Sequence, residues 1–389
     1  MNKAYGKIKK PKILSFSHYG QLYGANRSLL TLILASRDRL DWLVICRQEG
    51  QFTDELKANS VAYRVIPFKP DVYNGTSNTP MLRGILKLVT NFRAATNIVS
   101  LINSEQIDII HSNSSVILIG AITAQLAAKK HLWHFREFVY EDYDSKYNLG
   151  KPFFRFWARK ADTIICISRS IREVRLVQGK VDTRSVIIYN GLVGSDMALT
   201  PKTLAIRTSV ISIIGVINRA KNQLIAIKAL RLLLRQGKKL TLQIAGDIND
   251  PEYYSELNTY IQQENLSEYV KFLGFVKDIK TVIADSDVTL MCSRMEAFGR
   301  VTVESMMYGV PVVAFASAGS GEIIENGKTG LLYTGEEDDL AENIDKLLSD
   351  PVLYKNISEN ALSHVAKNFT VSSYADNFVN EVNLALKSN

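Results

Sequence analysis

Short apolar runs rich in β-branched residues alternate along this chain with longer stretches of helical periodicity. The first series of runs consists of Lys12 to Ser17, Trp42 to Cys46, Tyr63 to Phe68, Ile107 to His111, His131 to Phe135, Thr163 to Ile167 and Ser185 to Tyr189. Strands that alternate with helices are typical of a parallel sheet with helices on both faces. The alternation therefore predicts an α/β fold with a doubly wound sheet.

The same pattern repeats after a less regular stretch, Leu192 to Thr208, which we interpret as a linker. The second series consists of Val210 to Gly215, Thr241 to Gly246, Val270 to Phe275, Val288 to Cys292, Pro311 to Phe315 and Gly330 to Tyr333. A chain of 389 residues is long enough for two domains. We predict two Rossmann-like domains, residues 1–195 and 196–369, that face a central cleft, because ligands bind at the carboxyl ends of parallel strands. A last helix within 370–389 has no strand after it; we predict that it packs back on the first domain, with the second domain as the alternative.

Positive charge is concentrated in the first half of the chain. Residues 1–200 contain 28 Lys and Arg against 16 Asp and Glu, and the remainder contains 19 against 23. A basic half is attracted to anionic lipid or to anionic substrates. Nucleic acid is not an expected partner, since paired Cys/His motifs, an RNP-like aromatic strand and basic heptad helices are absent from the sequence. The three scattered cysteines indicate neither a disulfide framework nor a zinc site and fit a reducing cytoplasm.

Membrane contact, where it occurs, is expected to be peripheral. We find no signal-peptide core near the N-terminus and no uninterrupted apolar run of about 20 residues. Two segments combine apolar and basic residues, Met81 to Ile102 and Lys151 to Lys160, which suits docking on the inner face of the cell membrane. The alternatives are an ordinary surface helix for the first segment and packing between domains for the second.

The strongest site pattern directly follows the predicted strand Val288 to Cys292. Glu296 and Glu304 lie on either side of Gly299, a residue that allows close backbone approach. A helix that begins after Gly299 would present its first amides to a phosphate, and Glu304 would accept hydrogen bonds from ribose. Those amides belong to Arg300, Val301 and Thr302. Alternatively, Glu296 caps the helix and Glu304 is a solvated helix residue.

This segment resembles the E-x7-E signature of the family 4 glycosyltransferases, which have the GT-B fold. Further matches, in the order that the family shows, are Tyr189-Asn190-Gly191, Ile244-Ala245-Gly246, Phe272-Leu273-Gly274, Asp285-Ser286-Asp287 and Gly309-Val310-Pro311-Val312-Val313. The resemblance implies that Glu296 contacts the donor sugar and Glu304 the ribose.

The run Ile214 to Gln223 is similar to the family's G-R-x-x-x-x-K loop, whose basic residues neutralise the donor diphosphate. Lys221 matches the lysine, but Val216 stands where the family has arginine. Arg219 is our candidate to compensate, with Asn218 beside it as a further donor contact. The alternative is that Arg219 and Lys221 are solvated residues before a helix.

The first half carries fainter matches. Gly24, in the loop after the first strand, resembles the family's glycine that faces the donor, and Asn26 is a candidate acceptor contact. By the same resemblance His134 contacts the donor sugar, Arg136 is an acceptor or phosphate contact, and His111 is a weaker candidate. The alternatives are glycines that serve only the turn and a core histidine with a backbone partner.

The resemblance implies a retaining, metal-independent hexosyl- or related glycosyltransferase of bacterial surface polysaccharide, capsule, cell-wall or glycolipid assembly. Its partners would be a sugar nucleotide and a saccharide or lipid-linked acceptor, with no cofactor besides the donor substrate. Two Asp-x-Asp tripeptides, Asp142 to Asp144 and Asp285 to Asp287, have the form of a metal site, but the second precedes its strand, so we expect no metal. Alternatives are a catalytically silent accessory subunit and a sugar-nucleotide epimerase.

Overall fold

Two parallel sheets organise the chain in a computed structural model, which describes residues 10–74, 80–195, 200–204 and 208–388. One unit contains residues 1–191 together with 371–389, and the other contains residues 192–370. The boundary between the units lies after Gly191, whereas the sequence predicted it between residues 195 and 196. The structure describes only parts of the predicted linker.

The first unit contains a seven-stranded parallel sheet with the order β3-β2-β1-β5-β6-β8-β9. Its strands are β1 (Lys12–Ser17), β2 (Asp41–Cys46), β3 (Ala62–Val65), β5 (Ile109–Ser112), β6 (Lys130–Phe135), β8 (Thr163–Cys166) and β9 (Ser185–Ile187). A separate antiparallel pair consists of β4 (Val72–Asn74) and β7 (Ser145–Tyr147). The helices are α1 (Gly24–Ser36), α2 (Gln51–Ala58), α3 (Pro80–Ser104), α4 (Ile119–Leu126), α5 (Tyr140–Tyr143), α6 (Gly150–Ala158) and α7 (Arg169–Arg172), and a π-helical turn (Glu173–Val177) follows α7.

The second unit contains a six-stranded parallel sheet with the order β12-β11-β10-β13-β14-β15. Its strands are β10 (Ser209–Ile214), β11 (Leu240–Ala245), β12 (Val270–Gly274), β13 (Val288–Met291), β14 (Val312–Phe315) and β15 (Leu331–Tyr333). Its helices are α8 (Gln223–Arg235), α9 (Pro251–Gln263), α10 (Ile279–Asp285), α11 (Arg300–Met307), α12 (Ala318–Ile323), α13 (Glu337–Ser349) and α14 (Pro351–Asn368). The predicted class, two doubly wound parallel-sheet domains, is confirmed.

The central strands of the second sheet are apolar because helices cover both of its faces. Ile211 in β10, Leu242 in β11 and Leu290 in β13 are fully buried in one cluster with residues of α8 and α13. Strand β10 pairs with β11 on one side and with β13 on the other, so the chain changes direction across the sheet at β10. The loops after β10 and β13 therefore emerge side by side, which is where open α/β sheets bind ligands.

The C-terminal helix α15 (Val371–Lys387) belongs to the first unit, where it packs against α1 and β6. Phe378 is fully buried, with its ring 5.5 Å from that of Trp42 and 6.0 Å from that of His134. Glu381 forms an ion pair with Arg184. Burial of this apolar face fixes the helix on the sheet.

Helix α3 contains a longer apolar segment than the sequence analysis expected. Residues Met81–Ser104 are long and apolar enough to cross a membrane by length and composition alone, and 28% of the best window is buried. The sequence expectation required an uninterrupted apolar run, whereas Arg83 and Lys87 interrupt this segment. One face of α3 packs into the first unit through residues such as Ala95 and Ile98.

Truncation of Phe378 tests the contribution of α15 to the first unit. We expect Phe378→Ala to lower the unfolding free energy by about 3–5 kcal/mol, because it leaves a cavity between aromatic rings. The exposed Leu384→Ala is the matched control on the same helix, with a change within about 0.5 kcal/mol. Urea unfolding followed by tryptophan fluorescence reports this unit, since all three tryptophans lie in it. Equal effects of the two substitutions would contradict the packing role.

Candidate active site

The loop after β10 is closed by a side-chain cap. The Asn218 side chain accepts a hydrogen bond from the Lys221 amide at 3.0 Å and begins a 3-10 turn, Arg219–Lys221. Asn222 then adopts the left-handed conformation, and α8 begins at Gln223. The Gln223 amide group donates to the Val216 carbonyl at 3.0 Å. These bonds fix the backbone that carries Lys221.

Glycines allow the loops after β10 and β11 to press together. A Cβ atom on Gly246 would lie 2.0 Å from the Gly215 carbonyl oxygen, and Gly246 has a φ of +156°. The aliphatic part of Lys221 passes over Gly215, since a Cβ there would lie 3.5 Å from Lys221 Cε. The compact glycine turn thus leaves room for the lysine side chain above the end of β10.

Lys221 meets Glu296 from the neighbouring loop. The Lys221 Nζ to Glu296 Oε2 distance is 2.6 Å, and the two side chains keep 29% and 17% of their exposure. The Glu296 carbonyl accepts a hydrogen bond from the Gly319 amide at 2.8 Å. A Cβ on Gly319 would lie 2.6 Å from the Phe298 carbonyl oxygen, so this loop is held tightly against the start of α12. The structure therefore brings two predicted site residues together beside β10 and β13.

The start of α11 forms a small polar recess around Gly299. Gly299 has a φ of +87°, and no side-chain cap bond to this helix start is found within the described ranges. A Cβ on Gly299 would lie 3.2 Å from Thr302 Oγ1 and 3.3 Å from Ser320 Oγ. Both hydroxyls are buried, without a hydrogen-bond partner among the described residues. Hydroxyls and amides at the positive end of a helix suit phosphate oxygens.

Glu304 lies one turn into α11 and pairs with Arg300. The Arg300 Nη2 to Glu304 Oε1 distance is 2.9 Å, and the side chains keep 24% and 17% of their exposure. The predicted donor-binding residues Gly299, Arg300, Val301, Thr302 and Glu304 thus share one helix start.

Arg219 is directed to α9. Its guanidinium lies 2.8 Å from Glu256 and 3.9 Å from Asp250, and 5.2 Å from the ring centre of Tyr253. The structure does not bring it to the Lys221–Glu296 pair. The idea that it compensates for Val216 therefore has no support from its position, and its catalytic role remains a prediction.

In the first unit, Asn26 holds its own loop. Its side chain accepts from the Ser17 hydroxyl at 2.6 Å and donates to the carbonyls of Tyr19 and Gln21 at 2.9 and 2.8 Å. Gly24 is the first residue of α1. The bonds of Asn26 explain its burial, and its proposed contact with an acceptor stays a prediction.

Arg136 is the centre of a buried network that the sequence did not reveal. Its guanidinium donates to Asn113 at 2.7 Å, to Asn190 at 2.8 Å and to the Tyr374 hydroxyl at 2.8 Å. These partners come from three distant parts of the chain, so no local spacing could have identified them. Arg136 thus links the loop after the carboxyl end of β6 to α15 through Tyr374. Its contact with an acceptor remains a prediction.

His134 lies in a chain of buried side chains. The Ser15 hydroxyl is 2.8 Å from His111 Nδ1, and His111 Nε2 is 3.0 Å from His134 Nδ1. Burial, followed by the charge of Arg136, lowers the pKa of His134 and of His111 well below the usual value. Both imidazoles are therefore neutral at neutral pH, and a contact of His134 with the donor sugar stays a prediction.

Neither Asp-x-Asp tripeptide is part of a metal-binding group in the described part of the chain. Asp142 accepts from the Phe138 amide at 2.8 Å, and burial raises the pKa of Asp142 to about 7. Asp287 accepts from the Val210 amide at 2.8 Å, at the amino end of β10. Residues 10–74, 80–195, 200–204 and 208–388 contain no group of three or more His, Cys, Asp or Glu placed to hold a metal ion.

Two family models match most of the chain. The model described as Glycosyltransferase Family 4 matches residues 23–193, and the one described as Glycosyl transferases group 1 matches residues 202–364. The chain belongs to the family 4 glycosyltransferases. The second match contains the Lys221–Glu296 pair and the start of α11.

Individual relatives agree with the family. A galactosyltransferase of Escherichia coli, UDP-Gal:alpha-D-GlcNAc-diphosphoundecaprenol alpha-1,3-galactosyltransferase, is 23% identical over 91% of this chain and 92% of its own. N-acetyl-alpha-D-glucosaminyl L-malate synthase of Bacillus anthracis is 27% identical over 55% of this chain and 58% of its own. The crystal structure of Anabaena HepE with UDP-glucose is 25% identical, with a TM-score of 0.78 over 96% of this chain and 99% of its own.

This glycosyltransferase therefore has the GT-B fold and moves a sugar from a nucleotide sugar to an acceptor. An accessory subunit or an epimerase is not favoured, since the galactosyltransferase similar to nearly the whole chain is named as a transferase.

Lys221 and Arg219 lie in the same 3-10 turn, so their substitution by alanine is a matched test of which cation contributes to transfer. We expect Lys221→Ala to lower kcat by about 10²–10³-fold, because a cation that would stabilise the leaving group is lost. Arg219→Ala should change kcat by less than about fivefold, since its guanidinium contacts Glu256 on α9 and not the Lys221–Glu296 pair, and loss of that exposed ion pair changes the free energy by only about 0–1 kcal/mol. Steady-state kinetics of nucleotide release measures both. A larger loss in Arg219→Ala would restore Arg219 as a phosphate contact.

The buried imidazole of His134 predicts acid sensitivity. A lowered pKa means that the unfolded chain binds a proton near pH 6.5 while the folded chain does not, so stability is lost as pH falls below that value. Relative to His134→Gln, which stays neutral, the wild type should lose on average about 1.1 kcal/mol of unfolding free energy per pH unit between pH 6.5 and 5, with a limiting slope of about 1.4 kcal/mol per unit once the unfolded imidazole is fully protonated. Urea unfolding at several pH values gives this difference. A pH-independent difference would mean that the pKa of His134 is the same in the folded and the unfolded chain.

Proposed function

We propose that this glycosyltransferase transfers a hexosyl or related sugar from a UDP-sugar to a lipid-linked or polysaccharide acceptor, with retention of anomeric configuration and without a metal ion. The observation that carries the proposal is the Lys221–Glu296 ion pair beside the polar start of α11 and Glu304. This arrangement supplies a cation, helix amides and two carboxylates at the point where the sheet changes direction.

Donor binding is proposed to exchange the partner of Lys221. The diphosphate lies against the amino end of α11, where the helix dipole and the Gly299 recess favour negative charge. Lys221 then turns from Glu296 to the diphosphate. The exchange releases the Glu296 carboxylate to accept hydrogen bonds from sugar hydroxyls, while Glu304, oriented by Arg300, accepts from ribose hydroxyls.

The transfer step breaks the bond between the anomeric carbon and the diphosphate oxygen and forms one to the acceptor oxygen on the same face of the sugar. The departing phosphate oxygen takes the acceptor proton, so no protein side chain is assigned as the base. Lys221 and the amides of α11 stabilise the charge that develops on the leaving group. Because these groups already supply positive charge, the proposed mechanism has no step that needs a metal.

The relatives support a UDP donor and a membrane setting. HepE was crystallised with UDP-glucose, and the name of the E. coli relative contains both UDP-Gal and a diphosphoundecaprenol acceptor. The basic first half of the chain would be attracted to an anionic membrane surface. We therefore place the enzyme in the cytoplasm, peripheral to the inner face of the cell membrane, in surface-polysaccharide or glycolipid assembly.

The decisive assay uses the purified protein with UDP-, GDP- and dTDP-sugars in EDTA, with and without a lipid-linked acceptor extract. We expect release of UDP from one donor, stimulated by the acceptor extract and unaffected by EDTA. Glu296→Ala should lower the rate by about 10²–10³-fold, by analogy with the loss of one preorganised polar group. NMR of the product reports whether the configuration at the anomeric carbon is retained.

Three outcomes would contradict the proposal. Activity that EDTA abolishes would overturn metal independence, and an inverted product would overturn retention. Nucleotide binding without release, unchanged in Glu296→Ala, would favour a silent accessory subunit.

A further inference from the structure

Helix α3 exposes an apolar stripe on the surface of the first unit. Five large apolar side chains lie one turn or one position apart near its start, and each keeps between 43% and 69% of its exposure. They are Met81, Leu82, Ile85, Leu86 and Val89. The opposite face of the helix is buried through Asn91, Ala95 and Ile98, so the stripe is an outer face and not part of the core. Contiguous exposed apolar surface of this kind marks an interaction site.

Helix α6 lies beside α3 and carries a further exposed aromatic side chain. Gly84 brings α3 against the segment before α6, since a Cβ there would lie 2.8 Å from Asn148 Cβ and 2.9 Å from Leu149 Cδ2. Further along, the Phe92 ring lies 6.3 Å from that of Trp157 in α6. The adjacent Phe156 keeps 54% of its exposure, and the Lys160 ammonium lies 5.0 Å from its ring centre. The α3 stripe and Phe156 thus lie on neighbouring helices, and we call them together the docking surface.

The two segments that form the docking surface carry charge of one sign. Residues 81–104 and 145–160 contain eight Lys and Arg and no Asp or Glu. Arg83, Arg93, Lys151 and Lys160 are exposed, whereas Lys87 donates to the Val72 carbonyl and is half-buried. Apolar side chains flanked by cations suit the boundary between headgroups and acyl chains in an anionic bilayer.

We propose that the docking surface binds the anionic lipid bilayer directly, with the α3 stripe and Phe156 inserted at the headgroup boundary and the flanking cations on lipid phosphates. This inference rests on the proposed function and assigns its membrane partner to named residues. Helix α3 stays packed on the first unit through Ala95 and Ile98 and lies along the interface, so it does not cross the bilayer.

The test is co-sedimentation of the full-length protein with vesicles of phosphatidylcholine alone or with 30% phosphatidylglycerol. Wild type should bind the anionic vesicles and be released by high salt or alkaline carbonate. Arg83→Glu/Lys151→Glu should lower the partition coefficient by at least about fivefold for each charge removed. Leu82→Ser/Leu86→Ser should lower it by about tenfold or more, since two inserted side chains lose their apolar contact.

Matched controls lie outside the docking surface. Val352→Ser removes an apolar side chain that is 69% exposed on α14, and Lys57→Glu reverses an exposed charge on α2 of the first unit. Both should bind vesicles as the wild type does. Urea unfolding followed by tryptophan fluorescence, which reports the first unit, should match the wild type in the variants of that unit, and UDP affinity, which reports the second unit, should be unchanged in every variant.

Each contrary result has a distinct meaning. Equal vesicle binding by all variants, or equal binding to uncharged vesicles, would overturn the docking surface. Resistance to carbonate would indicate a spanning α3 and also overturn it. A wild-type dimer that Leu82→Ser/Leu86→Ser converts to monomer in light scattering, without vesicle binding, would assign the stripe to a second copy. A wild-type protein that binds anionic vesicles but not UDP would overturn the proposed function and leave the docking surface supported.

Discussion

The parallel pairing of β10 with β13 is the constraint on which the active site depends. These strands are separated by more than seventy residues, yet Ile211 pairs with Val288 and Ile213 with Leu290. Since β11 lies on the other side of β10, the sheet is wound in both directions from this strand. The loops that follow β10 and β13 must then leave the same edge as neighbours. Lys221 and Glu296 can meet only because the strands beneath them are paired.

Glycines turn that proximity into a defined geometry. Gly246 lets the β11 loop press on the carbonyl of Gly215, and Gly319 lets α12 approach the backbone of Phe298. Because these contacts are between backbones, a side chain at either glycine would force a loop to shift. The ion pair is thus positioned by main-chain packing, which is stiffer than a pair of long side chains. In the first unit the corresponding rigidity comes from a buried polar network around Arg136.

The sequence predicted the architecture well and the side-chain partners poorly, for one physical reason. Hydrophobic periodicity is local, so all strands of the two parallel sheets were found within three residues of their ends. The pair β4 and β7 was missed because its three-residue strands are too short for a period to show. The Arg136–Tyr374 bond and the Arg219–Glu256 pair join residues that meet only in the folded chain. Motif resemblance located the site but could not say which way Arg219 points.

Every cation in the loops after β10 and β13 and at the first residue of α11 has a carboxylate partner. Arg219 pairs with Glu256, Lys221 with Glu296, Arg294 with Glu336 and Arg300 with Glu304, all within 2.9 Å. These side chains therefore present almost no net charge to an approaching diphosphate, and Val216 adds none. The remaining positive potential is that of the α11 amino end, equivalent to about half an elementary charge. Under the proposed mechanism, the helix amides attract the diphosphate first and Lys221 contributes by leaving Glu296. Such a partner exchange would make a donor loop without the usual arginine compatible with transfer.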